Sequence, residues 1–233
     1  MEKKRLSKAL AAAGIASRRA CEELIFAGRV QVNDQTIKVP QTLVDWEHDK
    51  ILVDGEKVRG EEKKLYYILN KPKGFICSNE RVGNKPIIID LFERTERLFT
   101  VGRLDKDTSG LLIVTNDGAF ANRVIHPSSN IVKEYLVRTE QEITALHLKA
   151  LSRGARVDEK WVRPVSVHKV RRGTFKIAVK EGKKHEVRIL AEKVGLRIVE
   201  LIRIRIGSLV LGPLPEGKFM PMSEKDRALI FAQ

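Results

Sequence analysis

The part of this 233-residue chain best furnished for chemistry is Val101-Gly102-Arg103-Leu104-Asp105-Lys106-Asp107-Thr108-Ser109-Gly110-Leu111-Leu112. Between its two glycines lie two carboxylates, two cations and two hydroxyls, and an apolar run follows at once. Loops anchored on core strands are where catalytic groups tend to sit. A carboxylate held there can act as a nucleophile or as a general base. Asp105 and Asp107 can also be read as the acid and base of a hydrolase. A third reading is a solvated turn whose Asp and Ser side chains bond the local backbone. The pattern alone leaves all three open.

Other familiar chemistries are absent from the sequence. No two glycines stand two residues apart, so there is no dinucleotide fingerprint. Gly212-Pro-Leu-Pro-Glu-Gly217-Lys218 imitates a phosphate loop, but Phe219 replaces the hydroxyl residue and two prolines remove amide donors. Cys21 and Cys77 are far apart and read as free thiols of a reducing compartment. The five histidines are scattered, so neither a metal site nor a cofactor is expected.

The elements that must carry the loop follow from periodicity. Residues 3–13 read as an amphipathic helix through Leu6, Leu10 and Ala13, stopped by Gly14. Ser17 reads as the cap of a second helix that ends at Gly28. Val30 to Val32 and Ile51 to Val53 read as short strands, each followed by a turn, at Asn33-Asp34 and Asp54-Gly55. Residues 59–64 have no apolar anchor and read as a linker. Beyond them, Tyr66–Leu69, Phe75–Cys77, Leu111–Val114 and Lys133–Thr139 read as strands, and Val165–Val170 with Phe175–Val179 as a hairpin. Ala119–Ile125, Glu142–Leu151 and His185–Val194 read as helices. Val199–Ile206 and Leu209–Leu211 read as strands, and Ser223 caps a last helix. Many strands with few helices, and no regular strand–helix alternation, imply an α+β fold with a largely antiparallel or mixed sheet. The domain division expected is 1–58, a linker at 59–64, and 65–233.

Composition bounds the function class. The net charge is +14, from 44 basic and 30 acidic side chains. Residues 133–233 hold 22 of the basic and 12 of the acidic groups, and so most of the excess. Such clustering is the footprint of a polyanion partner, nucleic acid above all. With 13 aromatics in the chain, backbone tracking is a better expectation than many stacked bases. No apolar run approaches the ~18 residues of a membrane span, and no secretory signal is visible, so a cytoplasmic protein is expected.

Five motifs in order resemble those of the RsuA-type pseudouridine synthases. Leu69-Asn70-Lys71-Pro72-Lys73-Gly74 is similar to the first, and Gly102-Arg103-Leu104-Asp105 with Thr108-Ser109-Gly110-Leu111-Leu112 is similar to the signature. Lys133-Glu134-Tyr135-Leu136-Val137 is similar to the motif carrying the family's tyrosine. Glu181-Gly182-Lys183-Lys184-His185-Glu186-Val187-Arg188 is similar to the motif carrying its arginine, and Leu201-Ile202-Arg203 with Ile206-Gly207 to the segment after it. The run from Arg5 through Asn33 resembles the alpha-L RNA-binding fold of a small-subunit ribosomal protein. The arginine motif departs from many members in having Ile189-Leu190 after Arg188.

The resemblance implies a cofactor-free isomerase that converts one uridine of ribosomal RNA to pseudouridine, more in keeping with the large-subunit than the small-subunit branch. It puts the catalytic role on Asp105, with Arg188 as a bidentate partner. Tyr135, Arg103 and Lys133 are assigned to the flipped nucleotide. The backbone of the RNA is assigned to Arg5, Lys8, Ser17, Arg18, Arg19 and Arg29. Asp107 is expected to be structural. From the residues alone, the favoured reading of Arg188 is one half of a surface pair with Glu192 and that of Tyr135 a half-buried strand residue, while Arg103 also reads as a solvated cation. A second class of function, a non-catalytic RNA-binding assembly factor on the same fold, is kept beside the first. A monomer binding no metal or membrane is expected.

Overall fold

The computed structural model describes residues 3–81, 83–93, 96–180 and 182–232. Glu181, the first residue of the arginine motif, lies outside the described residues. The chain divides into two compact units. The first is Met1–Leu65 with two short later pieces, one ending at Leu98 and one at Asn116–Gly118.

In the first unit, β1 (Lys4–Arg5) precedes α1 (Leu6–Ala12) and α2 (Arg18–Phe26). The strands β2 (Val30–Val32), β3 (Gln35–Thr36), β4 (Leu43–Val44), β5 (Ile51–Val53) and β6 (Glu56–Lys57) follow. The first helix is shorter than its apolar stripe suggested. Lys4 and Arg5 pair with Val44 and Leu43 as a two-residue ladder, and this extended backbone delays helix entry to Leu6. Ser17 caps α2 by accepting from Ala20 N at 3.1 Å. Both hairpin turns have positive φ at their two central residues, 51° and 65° at Asn33-Asp34 and 52° and 84° at Asp54-Gly55. That is the geometry of the two-residue turn whose twist matches the strands. Leu6, Leu10, Cys21, Ile25, Val30 and Ile51 form the core. Residues 59–65 are irregular but not loose: Glu62 N donates to Ala12 O at 3.0 Å, and Lys4 bonds Glu61.

The second unit is built on one sheet. Its strands are β7 (Tyr66–Lys71), β8 (Phe99–Val101), β9 (Ser109–Thr115), β10 (Lys133–Thr139), β13 (Ser166–Arg171), β14 (Thr174–Val179), β15 (Ile198–Ile206), β16 (Leu209–Val210) and β17 (Phe219–Pro221). The small hairpin β11 (Ala155–Val157) and β12 (Lys160–Val162) stands apart from it. The sheet order is β13-β14-β10-β15-β9-β7-β17, with β8 on β9 and β16 on β15. Every pairing is antiparallel except β15 with β9. The α+β class with a mixed sheet is therefore what the chain adopts. All seven residues of β9 are buried, as an apolar strand at the centre of a sheet requires.

The helices of this unit are α3 (Gly118–Ile125), α4 (Ala145–Arg153), α5 (Glu186–Lys193) and α6 (Glu224–Leu229). One core gathers Val137, Phe175, Ile177, Leu190 and Leu201, and another gathers Ile68, Leu111, Ile113, Phe120 and Val124. Two expectations are corrected. Phe75–Cys77 is not a strand; Ile76 makes one isolated bridge to Ile87. The helix expected at Glu142 starts at Ala145, because Thr144 caps it by accepting from His147 N at 3.3 Å.

Candidate active-site cleft

The loop from Gly102 to Thr108 links β8 to β9, so its two ends are fixed by central sheet strands. Gly102 has φ 71°, a turn conformation that suits glycine. Leu104 is buried beneath the loop, while its neighbour Asp105 has a side chain 37% exposed. The turn closes on itself through Thr108 N to Asp105 O at 3.1 Å.

Three groups hold this loop from below. Lys71, at the end of β7, is fully buried, and its Nζ donates to Pro72 O at 2.9 Å, Lys106 O at 3.3 Å and Thr108 O at 2.9 Å. Burial pushes the Lys71 ammonium below the ordinary lysine range, opposed by charge on Cys77, Asp107, Glu216 and Asp105. Gly74 N donates to Lys106 O at 2.9 Å. Cys77 stands in for a missing strand: its Sγ donates to Leu104 O at 3.5 Å and accepts from Leu104 N at 3.4 Å. Burial raises the Cys77 thiol above its usual range.

Two side chains approach Asp105 from α5 and its cap, Arg188 and His185. Arg188 Nε lies 3.8 Å from Asp105 Oδ2. Its Nη2 donates to Asp107 O at 3.1 Å and to Thr108 Oγ1 at 3.2 Å. The bidentate contact expected with Asp105 is thus replaced by a single approach, because the rest of the guanidinium is spent on the turn. No Arg188–Glu192 ion pair forms among the described residues. His185 places Nε2 3.5 Å from Asp105 Oδ1. It enters α5 in a left-handed conformation, φ 56° and ψ 19°, at the cap position.

The loop borders a cleft of about 960 Å³. Arg103, Asp105, Tyr135, Lys133, His185 and Arg203 all line it. Asp107 does not, and it offers the site a backbone carbonyl rather than a second carboxylate. Tyr135 stands on β10 opposite Arg203 of β15. Lys133 Nζ donates to Lys180 O at 3.0 Å, and burial, aided by the charge of Arg203, pushes its ammonium down while Glu186 opposes. Arg103 is exposed and has no ion pair among the described residues.

The predicted RNA-contact residues stand apart, in the first unit. Arg5, Lys8, Arg18 and Arg19 are exposed. Arg18 lies 3.4 Å from Glu22, and Arg29 makes a two-pronged contact with Asp54 at 2.7 and 2.6 Å. The Ser17 hydroxyl is used by its cap. Asp45, Glu47 and His48 bring three potential metal ligands within 4.8 Å of one another. Asp45 there accepts from Glu47 N and contacts the His48 ring, so the group also serves as a turn.

Sequence reasoning quoted Lys71 and Arg203 within motifs and gave neither a role. His185 was quoted within the arginine motif without being connected to Asp105. For Arg203 no local signal was available, since the alternating run Ile202-Arg203-Ile204-Arg205-Ile206 reads as a strand with its charged face in solvent.

One carboxylate beside an arginine, at the edge of a basic cleft, fits an enzyme acting on a polyanionic substrate. Comparison with known proteins makes the class specific. Residues 65–193 match the RNA pseudouridylate synthase family, and residues 4–51 match the S4 domain. The chain belongs to the RNA pseudouridylate synthase family and carries an S4 domain ahead of its catalytic part. It is 43% identical, over 95% of its length, to an Arabidopsis thaliana protein provisionally named a chloroplast ribosomal large-subunit pseudouridine synthase, and spans 59% of that protein. It is 36% identical to the ribosomal large subunit pseudouridine synthase B of Bacillus subtilis, over 91% of this chain and 89% of that one. A crystal structure of a pseudouridylate synthase superposes with TM-score 0.71 at 28% identity, covering 97% of this chain and 99% of that one.

Proposed function

We propose that this protein isomerises a uridine of large-subunit ribosomal RNA to pseudouridine, with Asp105 as the catalytic carboxylate. The observation that carries the reading is the approach of Arg188 and His185 to Asp105, 3.8 and 3.5 Å away, at the edge of a basic cleft. The family supplies the reaction class, and the relatives named for the large subunit support that substrate.

The reaction cleaves the uracil N1–C1′ bond, turns the base and joins C5 to C1′. No atoms are gained or lost. Asp105 either attacks C1′ or takes a ribose proton, and both roles need it ionised. Arg188 favours that form and fixes the carboxylate relative to the turn. The target uridine must leave the RNA stack to reach the cleft, which costs a few kcal/mol that phosphate contacts offset. Tyr135 is assigned to stack on the flipped base, Arg103 to hold its nucleotide and Lys133 to hold a phosphate. Arg5, Lys8 and Arg19 are assigned backbone contacts. Arg18 and Arg29 can join them by exchanging Glu22 and Asp54 for phosphate. Ser17 is assigned to shaping the helix entry. Residues 1–58 and 65–233 act as the binding and catalytic parts of a monomer working without metal in the cytoplasm; no helix among the described residues is long and apolar enough to cross a membrane.

The test is to treat unmodified transcripts of both ribosomal RNAs with the protein and map carbodiimide-reactive pseudouridines by primer extension. One new stop in the large-subunit RNA supports the reading. A stop only in the small-subunit RNA overturns the substrate, and none in either, with tight binding intact, returns the protein to the class of assembly factors.

A further inference from the structure

Arg203 is a buried cation that the fold does not neutralise. It is 5% exposed, on β15 at the centre of the sheet. Its Nε donates to Leu111 O at 2.7 Å. Its Nη2 is buried and has no acceptor among the described residues. No carboxylate lies within ion-pair distance of it among those residues. A half-buried cation, Lys133, feels its repulsion, and Glu186 is the carboxylate that acts on Lys133. A guanidinium cannot shed its proton to escape this environment. Burying charge with neither an ion partner nor a full set of acceptors is costly. Its backbone position is fixed as well, since β15 and β9 meet in parallel at Arg203 and Gly110. The side chain lines the cleft together with Asp105 and Tyr135.

We infer that the Arg203 guanidinium is a catalytic group that stabilises the negative charge of the detached uracil. This rests on the isomerase reading above. When N1–C1′ breaks, its electron pair stays on the uracil and spreads to O2 and O4. The ring then supplies a pair from C5 to C1′, the C5 proton leaves, and N1 takes one up, so the balance closes. The anion exists whether Asp105 attacks C1′ or takes a ribose proton. A donor preset in a water-poor site, aimed where charge develops, is the arrangement that lowers such a barrier. Leu111 O fixes the orientation of the side chain through Nε, and Nη2 is left for a uracil oxygen.

The experiment compares wild type and Arg203→Lys in single turnover on large-subunit RNA carrying uridine or 5-fluorouridine at the target, and follows breakage of the N1–C1′ bond, because C5 of the fluorinated base has no proton to lose. Fluorine makes the uracil anion intrinsically more stable and so less dependent on the protein. The expected result is a fall of about 10²-fold in the uridine rate, with RNA affinity little changed and a deficit several-fold smaller on the fluorinated RNA. A merely structural role would lower both rates equally, and equal deficits overturn the inference. So does an unchanged uridine rate. Should Arg203→Lys fail to fold, wild type is titrated with 5-nitrouracil below and above the pH at which that base ionises. Tighter binding of the anion supports the inference, and equal or weaker binding overturns it. If wild type converts neither ribosomal RNA, the isomerase reading itself fails; if wild type is active and the deficits are equal, only the role of Arg203 fails.

Discussion

Gly110 and Arg203 meet backbone to backbone: a Cβ on Gly110 would overlap the Arg203 carbonyl oxygen and lie 2.6 Å from its amide nitrogen. This is the single parallel junction of the sheet, and it sits five residues after Asp105. The glycine also has φ 106°, outside the range of other L residues. Gly110→Ala is therefore expected to destabilise the protein by about 3 kcal/mol or more, the sum of strain and displaced backbone. Urea denaturation measures it. A loss under about 1 kcal/mol would mean that the junction yields easily.

Arg188 acts on both ends of the turn. Arg188→Lys keeps a positive charge but cannot reach Asp105, Asp107 O and Thr108 Oγ1 together. The turnover rate is expected to fall about 10²-fold, with RNA affinity nearly unchanged, because a misplaced carboxylate costs rate before binding. Single-turnover kinetics at saturating protein give the answer. A variant with wild-type rate would show that charge alone suffices.

Lys71 is a structural cation rather than a reacting one. Lys71→Met removes the Nζ donor shared by Pro72 O, Lys106 O and Thr108 O while keeping most of the side-chain volume. Destabilisation of about 2–4 kcal/mol follows, measured by denaturation. Hydrogen exchange should rise at Gly74, whose acceptor is Lys106 O.

Lys133 gives the site a pH signature. Burial holds its folded-state pKa below the ordinary lysine value, so its charge is lost as pH rises through that lowered value, before exposed lysines titrate. The unfolded chain keeps the proton to higher pH, so folding stability rises through the same window. Any phosphate contact weakens there instead. RNA affinity followed as pH rises toward the ordinary lysine value should fall more steeply for wild type than for Lys133→Arg, whose guanidinium stays charged. Parallel curves would remove Lys133 from the contact.

Much of the scaffold was legible because its causes are local. β10 begins and ends at the expected residues, the β13–β14 hairpin follows alternation around Arg172-Gly173, and Ser17 and Ser223 cap the helices they precede. The two-residue strands β1 and β4 were missed, since each is defined by its partner and has no pattern of its own. At the site, Asp105, Tyr135 and Arg188 were named through a resemblance, while periodicity favoured a surface role for Arg188. Its real partner lies 83 residues away in sequence, beyond any helical spacing. Lys71 carried no role in the sequence for the same reason: two of the carbonyls that hold it come from residues 106 and 108.

The central claim is that the Asp105 carboxylate makes this protein an isomerase of uridine in ribosomal RNA. The most direct measurement is tritium release from large-subunit transcripts labelled at uridine C5, with wild type and Asp105→Ala side by side. The account predicts release by wild type, near one equivalent per transcript, and none by the variant, with RNA binding retained by both. Equal release by the two proteins, or no release by wild type on any transcript or partly assembled particle, would contradict it.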